Sequence, residues 1–167
     1  MKRLLMIVVG LLFISSVSQG QEQRREKRVS RQKAQTEMIR GLFESGELRF
    51  VAQMAQPLSG GTIHLTSLYY LDFRGDSAEA HLPFYGVAYS VEYGGRNGGI
   101  MFERQKGEVK WETSKHGYEV MAEVRVPRDL YQFHLSFTQA GYATLQVTSQ
   151  NRQGISFTGI ITRRESY

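Results

Sequence analysis

From residue 47 onward apolar and polar side chains alternate one by one, and that period of two constrains the fold more than any other feature of the chain. Tyr131, Phe133, Leu135 and Phe137 alternate with Gln132, His134, Ser136 and Thr138. Tyr118, Val120, Ala122, Val124 and Val126 alternate with Glu119, Met121, Glu123 and Arg125, and Ala143, Leu145 and Val147 with Thr144, Gln146 and Thr148. Leu48, Phe50, Ala52 and Met54 near the start, and Ile155, Phe157 and Ile161 near the end, keep the same rule. Successive side chains of a strand point to opposite faces, so each run reads as a strand with one buried face. The breaks at Lys115-His116-Gly117, Pro127-Arg128-Asp129, Gln139-Ala140-Gly141 and Asn151-Arg152-Gln153-Gly154 are turn-like. Short connections make neighbouring strands antiparallel. Weaker alternation predicts further strands at 62–66, 68–74, 77–82, 99–104 and 108–113. The expectation is an all-β domain over residues 47–167, mainly antiparallel, with nine or ten short strands in a curled sheet, a sandwich or a small barrel, preceded by one N-terminal helix.

The N-terminus has a different pattern. Lys2 and Arg3 precede an unbroken apolar run from Leu4 to Ile14, followed by small and polar residues up to Gly20. That order is the layout of a secretory signal peptide over residues 1–20, with Gln21 as the new N-terminus. The run is shorter than the roughly 20 apolar residues that span a bilayer, so no transmembrane span is expected in the mature chain. The implied location is periplasmic or secreted. Cysteine is absent, which removes disulfides, zinc–thiolate sites, cysteine nucleophiles and lipid attachment at cysteine. Residues 21–46 lack Pro and are rich in helix formers. Met38, Ile39, Leu42 and Phe43 recur at helical spacing before a capping Gly46. Over 21–34 only Val29 and Ala34 are apolar, so this stretch reads as a solvated basic helix or a linker. It lacks the aromatic or leucine stripe of an interfacial helix.

Charge is distributed unevenly. Residues 21–40 hold seven Lys or Arg against three Asp or Glu, whereas residues 41–167 hold twelve against thirteen. The basicity belongs to the leader, not to the β domain, and a nucleic-acid partner is not expected, because such a domain carries its basic face on the fold. An outer-membrane barrel is disfavoured too. Read back by twos from Tyr167, Glu165 and Arg163 break one face and Ser166, Arg164 and Thr162 the other, and neither suits lipid.

Catalytic patterns are sparse. His64, His81 and His134 occupy positions expected to face outward and His116 a turn, none at metal-ligand spacing, so no metal and no cofactor is expected. No G-x-S-x-G elbow occurs. The carboxylates are scattered over outward positions, and Glu108 and Glu112 with Lys110 between them read as surface charge pairing. Gly94-Gly95-Arg96-Asn97-Gly98-Gly99 lacks the Lys-Ser/Thr and the following helix of a phosphate loop. The segment from Leu82 to Gly95 is more unusual, with Phe84, Tyr85, Tyr89 and Tyr93 between Pro83 and a glycine pair. Tyrosines stack on ligands and hydrogen-bond them, and glycines admit a ligand to the backbone. Tyr85, Tyr89, Tyr93, Arg96 and Asn97 are therefore the candidate ligand-binding residues. The competing reading is that the tyrosines plug one end of the core.

The stretches F-V-A-Q-M-A-Q-P at 50–57, L-P-F-Y-G-V-A-Y at 82–89, G-G-I-M-F at 98–102 and G-Y-A-T-L-Q-V-T-S-Q-N-R-Q-G-I-S-F-T-G at 141–159 resemble the exported domain-of-unknown-function family 4251 of Bacteroidetes. The resemblance runs from about residue 35 onward. It implies export and an all-β fold, and it carries no activity or catalytic residue with it. Two functions follow from the residues themselves. One is a non-catalytic envelope protein that binds a small ligand or an envelope partner. The alternative is a periplasmic hydrolase using a carboxylate and a tyrosine.

Overall fold

A computed structural model describes residues 2–87, 98–127 and 129–164, with side chains from residue 22 onward. The chain divides into two compact units, Met1–Gln35 and Thr36–Tyr167. Helix α1 covers Lys2–Ser45. Nothing in that stretch breaks a helix until Gly46, which ends it in the left-handed conformation (φ 66°) and returns its N–H to the Phe43 carbonyl at 3.1 Å. This is the usual glycine stop. Within the second unit, the last turns of α1 bury Ile39 and Leu42 and set Met38 and Phe43 against the core.

Among the described residues eight strands follow: β1 (Glu47–Pro57), β2 (Ile63–Arg74), β3 (Ser77–Leu82), β4 (Ile100–Ser114), β5 (Gly117–Val126), β6 (Asp129–Thr138), β7 (Tyr142–Ser149) and β8 (Ile155–Thr162). Each pairs antiparallel with its neighbour in sequence, and β8 returns to β1, so the sheet closes into an up-and-down barrel. Of the three arrangements open to the alternation, the barrel alone removes both sheet edges.

The strand count is lower than expected because two pairs of weak segments are single strands. The segments at 62–66 and 68–74 are both β2, and those at 99–104 and 108–113 are both β4. The register slips opposite each interruption, between Ala52 and Met54 on β1 and between Ala78 and Ala80 on β3. A bulge shifts the inside–outside phase, so one bulged ladder reads as two short strands in sequence.

Inward side chains fill the barrel. Phe50, Leu71, Val120, Leu135, Leu145 and Phe157 have no exposed surface. An eight-stranded barrel is just wide enough for side chains to fill, and each such residue contributes about 1.5–3 kcal/mol by leaving water. At the seam Gly159 faces Ala52 on one side and Ala143 on the other. A Cβ on Gly159 would collide with the Val51 carbonyl oxygen, so the seam closes there only on glycine. The outer face of β4 to β6 carries Glu108, Lys110, Glu112, Glu123, Gln132 and His134, all exposed. A polar outside around an apolar inside is the reverse of a lipid-facing barrel.

The two ends of the barrel are covered differently. At the end where β1 begins, Phe43 stacks on Tyr118 (centroids 4.4 Å apart) and sets its ring at an angle to Trp111 and Phe137 (5.7 and 6.3 Å). Such aromatic pairs add to the burial they bring. At the other end Phe84 and Tyr85, which follow β3, pack against the core.

Candidate functional site

Most connections in this barrel are tight. Residues 75–76, 115–116 and 127–128 join strands directly, and 139–141, 58–62 and 150–154 are only slightly longer. The β3–β4 connection, residues 83–99, is the exception. Connections beyond about 12–15 residues are uncommon in compact domains and usually functional or disordered.

The described parts of this connection are anchored. Pro83 is buried, and Phe84 and Tyr85 are half-buried against the core. The β7–β8 connection grips both roots. Gln153 exchanges hydrogen bonds with Val87, its backbone N–H donating to the Val87 carbonyl at 3.1 Å and its Oε1 accepting from the Val87 N–H at 3.3 Å. Arg152 donates from Nη1 to the carbonyls of Gly98 (2.8 Å) and Gly99 (3.2 Å) and lies over the Phe84 ring at 5.2 Å. Beside this end Tyr131 stacks on Phe102 at 5.9 Å. Of the five candidate binding residues, Tyr85 is at the anchored root, whereas Tyr89, Tyr93, Arg96 and Asn97 lie outside the described residues. Arg152 and Gln153 read in sequence as turn residues only, since their partners are more than fifty positions away.

A second polar constellation occupies the outer face of β1 to β3. Arg49 and Asp72 stand directly opposite each other. Arg49 donates from Nε and Nη2 to the two Asp72 oxygens, both at 2.7 Å. Arg164 reaches from beyond β8 to Asp72 at 3.2 Å and to Glu79 at 3.6 Å. Tyr70 donates its hydroxyl to Glu79 at 2.9 Å, and the Arg49 guanidinium lies 4.2 Å from the Tyr70 ring centroid. The bond to Asp72 raises the Arg49 pKa above its ordinary value. Burial raises that of Tyr70, aided by the carboxylate of Glu79.

Two outward positions are covered by their neighbours. Asp72 sits at an outward position yet is only 3 % exposed, because Arg49 and Arg164 cover it. His81 is half-buried rather than solvated, with its ring 5.6 Å from Tyr69 and 5.8 Å from Tyr70 and its Nδ1 buried without a hydrogen-bond partner. His64, His116 and His134 are exposed as expected, His134 beside Glu119 at 3.3 Å. Glu108 and Glu112 do share the outer face of β4 with Lys110, but Glu108 stands opposite Glu123 and Glu112 opposite Glu119, while Lys110 faces Met121.

The chemistry open to these groups is limited. Tyr70 and Glu79 form a carboxylate–tyrosine pair, the combination that hydrolysis would need. But a phenol whose pKa is raised is harder to ionise, and Glu79 is shared with an arginine. A nucleophile needs a lowered pKa or a free base beside it. Among the described residues no group of three or more His, Asp or Glu could hold a metal ion. None of their helices is long and apolar enough to cross a membrane.

Fold and site together define a helix-capped up-and-down barrel with a solid interior, whose polar groups lie on its outer face and at one anchored end. The chain belongs to the DUF4251 family, a domain of unknown function whose model matches residues 30–161. A crystal structure of a DUF4251 family protein from Bacteroides eggerthii is similar, with a TM-score of 0.56 and 17 % identity over 78 % of this chain and 88 % of that one. At that identity the likeness is one of fold. No curated protein matches the chain.

Proposed function

We infer that this chain is an exported, non-catalytic binding domain of the cell envelope that takes its ligand over residues 83–99, at the end of the barrel where β3 finishes and β4 begins. One observation carries the reading: a barrel joined elsewhere by tight turns has a single long connection, and another loop grips both of its roots through Arg152 and Gln153. Binding residues collect on loops held by a rigid scaffold. Because the barrel interior is filled by its own side chains, a ligand is met at the rim. Tyr85, Tyr89 and Tyr93 offer stacking faces, and Arg96 and Asn97 offer donors to a polar or anionic group. That chemistry fits a sugar-like ligand. Export is supported by the charged, apolar and small residues that follow one another over residues 1–20.

The binding reading is tested by thermal shift against peptidoglycan fragments and lipopolysaccharide-derived sugars. A stabilising sugar should lose affinity at least tenfold with Tyr93→Ala and with Arg96→Ala, while the ligand-free Tm stays nearly unchanged. If tyrosine truncation lowers the Tm and Arg96→Ala has no effect on binding, the segment is a plug and the site is lost. Export is checked separately by mass spectrometry of the protein from its host, where an N-terminus near Gln21 is expected and intact Met1 in the mature pool contradicts processing.

A further inference from the structure

The first unit carries a feature that the mouth of the barrel does not use. Residues 22–34 of α1 are helical and exposed throughout. The helical geometry sorts their charges. Arg24, Lys27, Arg28 and Arg31 fall at positions i, i+3, i+4 and i+7, one stripe about 100° wide. Glu22 and Glu26 fall on the opposite side, with Val29. The other cations of the segment, Arg25 and Lys33, lie off the stripe. Among the described residues none of the four stripe cations takes part in an ion pair, whereas Arg40, further along α1, is engaged by Glu37 at 2.7 Å and Glu44 at 3.8 Å. A row of unpaired cations with its acids turned away is costly through self-repulsion and gains most from an anionic partner.

We propose that the Arg24–Lys27–Arg28–Arg31 stripe docks on the surface of a bilayer rich in anionic lipid. Each near-surface cation strengthens such docking by roughly fivefold. One observation selects a bilayer over a nucleic acid. The second unit adds no net cation: residues 41–167 hold twelve basic and thirteen acidic side chains, so no basic face extends over the fold as nucleic-acid binding requires. The stripe makes no use of the segment that carries the sugar-like ligand, so its failure leaves that reading untouched.

The test is co-sedimentation of the processed chain, beginning at Gln21, with two kinds of vesicle, pure phosphatidylcholine and phosphatidylcholine containing about one-third phosphatidylglycerol. The two vesicles differ in charge, so the difference in binding between them measures the stripe. The wild-type chain should partition more strongly into the anionic vesicles, and the preference should shrink as salt shortens the Debye length. The variant R24Q/K27Q/R28Q/R31Q should lose at least a hundredfold of that partitioning, and R25Q/K33Q, with off-stripe changes, much less. Gln matches Arg and Lys in helix propensity, so the helix is kept, and circular dichroism verifies it. Equal binding to both vesicles, equal loss in the off-stripe variant, or tighter binding to a DNA duplex than to anionic vesicles at the same salt would overturn the proposal.

Discussion

Arg49 and Asp72 face each other across the β1–β2 ladder as a two-point ion pair, with Nε and Nη2 of the arginine each 2.7 Å from one oxygen of the carboxylate. The pair lies outside the barrel wall, yet its side chains are only 12 % and 4 % exposed. Removing one member of a buried pair strands the other charge, and costs about 3–5 kcal/mol. Arg164 still reaches Asp72, so Arg49→Ala is expected near the lower end, about 3 kcal/mol. The double replacement Arg49→Met/Asp72→Leu should cost much less than either single change, because a well-packed apolar pair replaces both charges. Urea unfolding of the three variants measures this. Additive losses would show that the two groups act independently.

Tyr70 makes the alkaline side of the stability profile testable. Burial and Glu79 raise its pKa above the ordinary value of about 10. A group whose folded pKa is raised contributes stability that is complete below its unfolded pKa and is lost as pH climbs through the folded one. The Tm should therefore fall from about pH 10 upward, and Tyr70→Phe should flatten part of that fall. Thermal melts of both proteins between neutral and strongly alkaline pH read the difference. An unchanged slope would mean that other phenols set it.

The β6 strand separates inside from outside residue by residue. Phe133 and Leu135 are 2 % and 0 % exposed, with His134 exposed between them. Leu135→Ala should cost roughly 2–5 kcal/mol, and His134→Ala about 0.5 kcal/mol or less. Chemical denaturation of the two variants gives the comparison, and the reverse order would place the strand one residue out of register.

Two pairs of glutamates are set directly opposite each other on β4 and β5, Glu108 with Glu123 and Glu112 with Glu119. Like charges in that relation destabilise a sheet, and opposite ones contribute about 0.2–1 kcal/mol. Glu108→Lys should therefore raise the Tm slightly, and the gain should fade in high salt. A fall in Tm at low salt would show that Glu108 has a favourable partner that the cross-strand pairing does not reveal.

Alternation alone determined which side chains of β5, β6 and β7 enter the core, and helical spacing together with Gly46 determined that the turns carrying Ile39 and Leu42 are an apolar helix end. Both are local periodicities, set by backbone geometry within a few residues. Closure was not legible, because whether eight strands curl back on themselves depends on stagger and tilt summed over the whole sheet. The bulges at Ala52–Met54 and Ala78–Ala80 contribute to it, and in sequence they only blurred the phase. The burial of Asp72 and the grip of Arg152 on Gly98 were hidden for a related reason. Their partners are 23 and 54 residues away, and a charge at an outward position has the same local pattern whether water or an arginine covers it. Only the tertiary structure, by bringing Arg49 and Arg164 over one carboxylate, decided which.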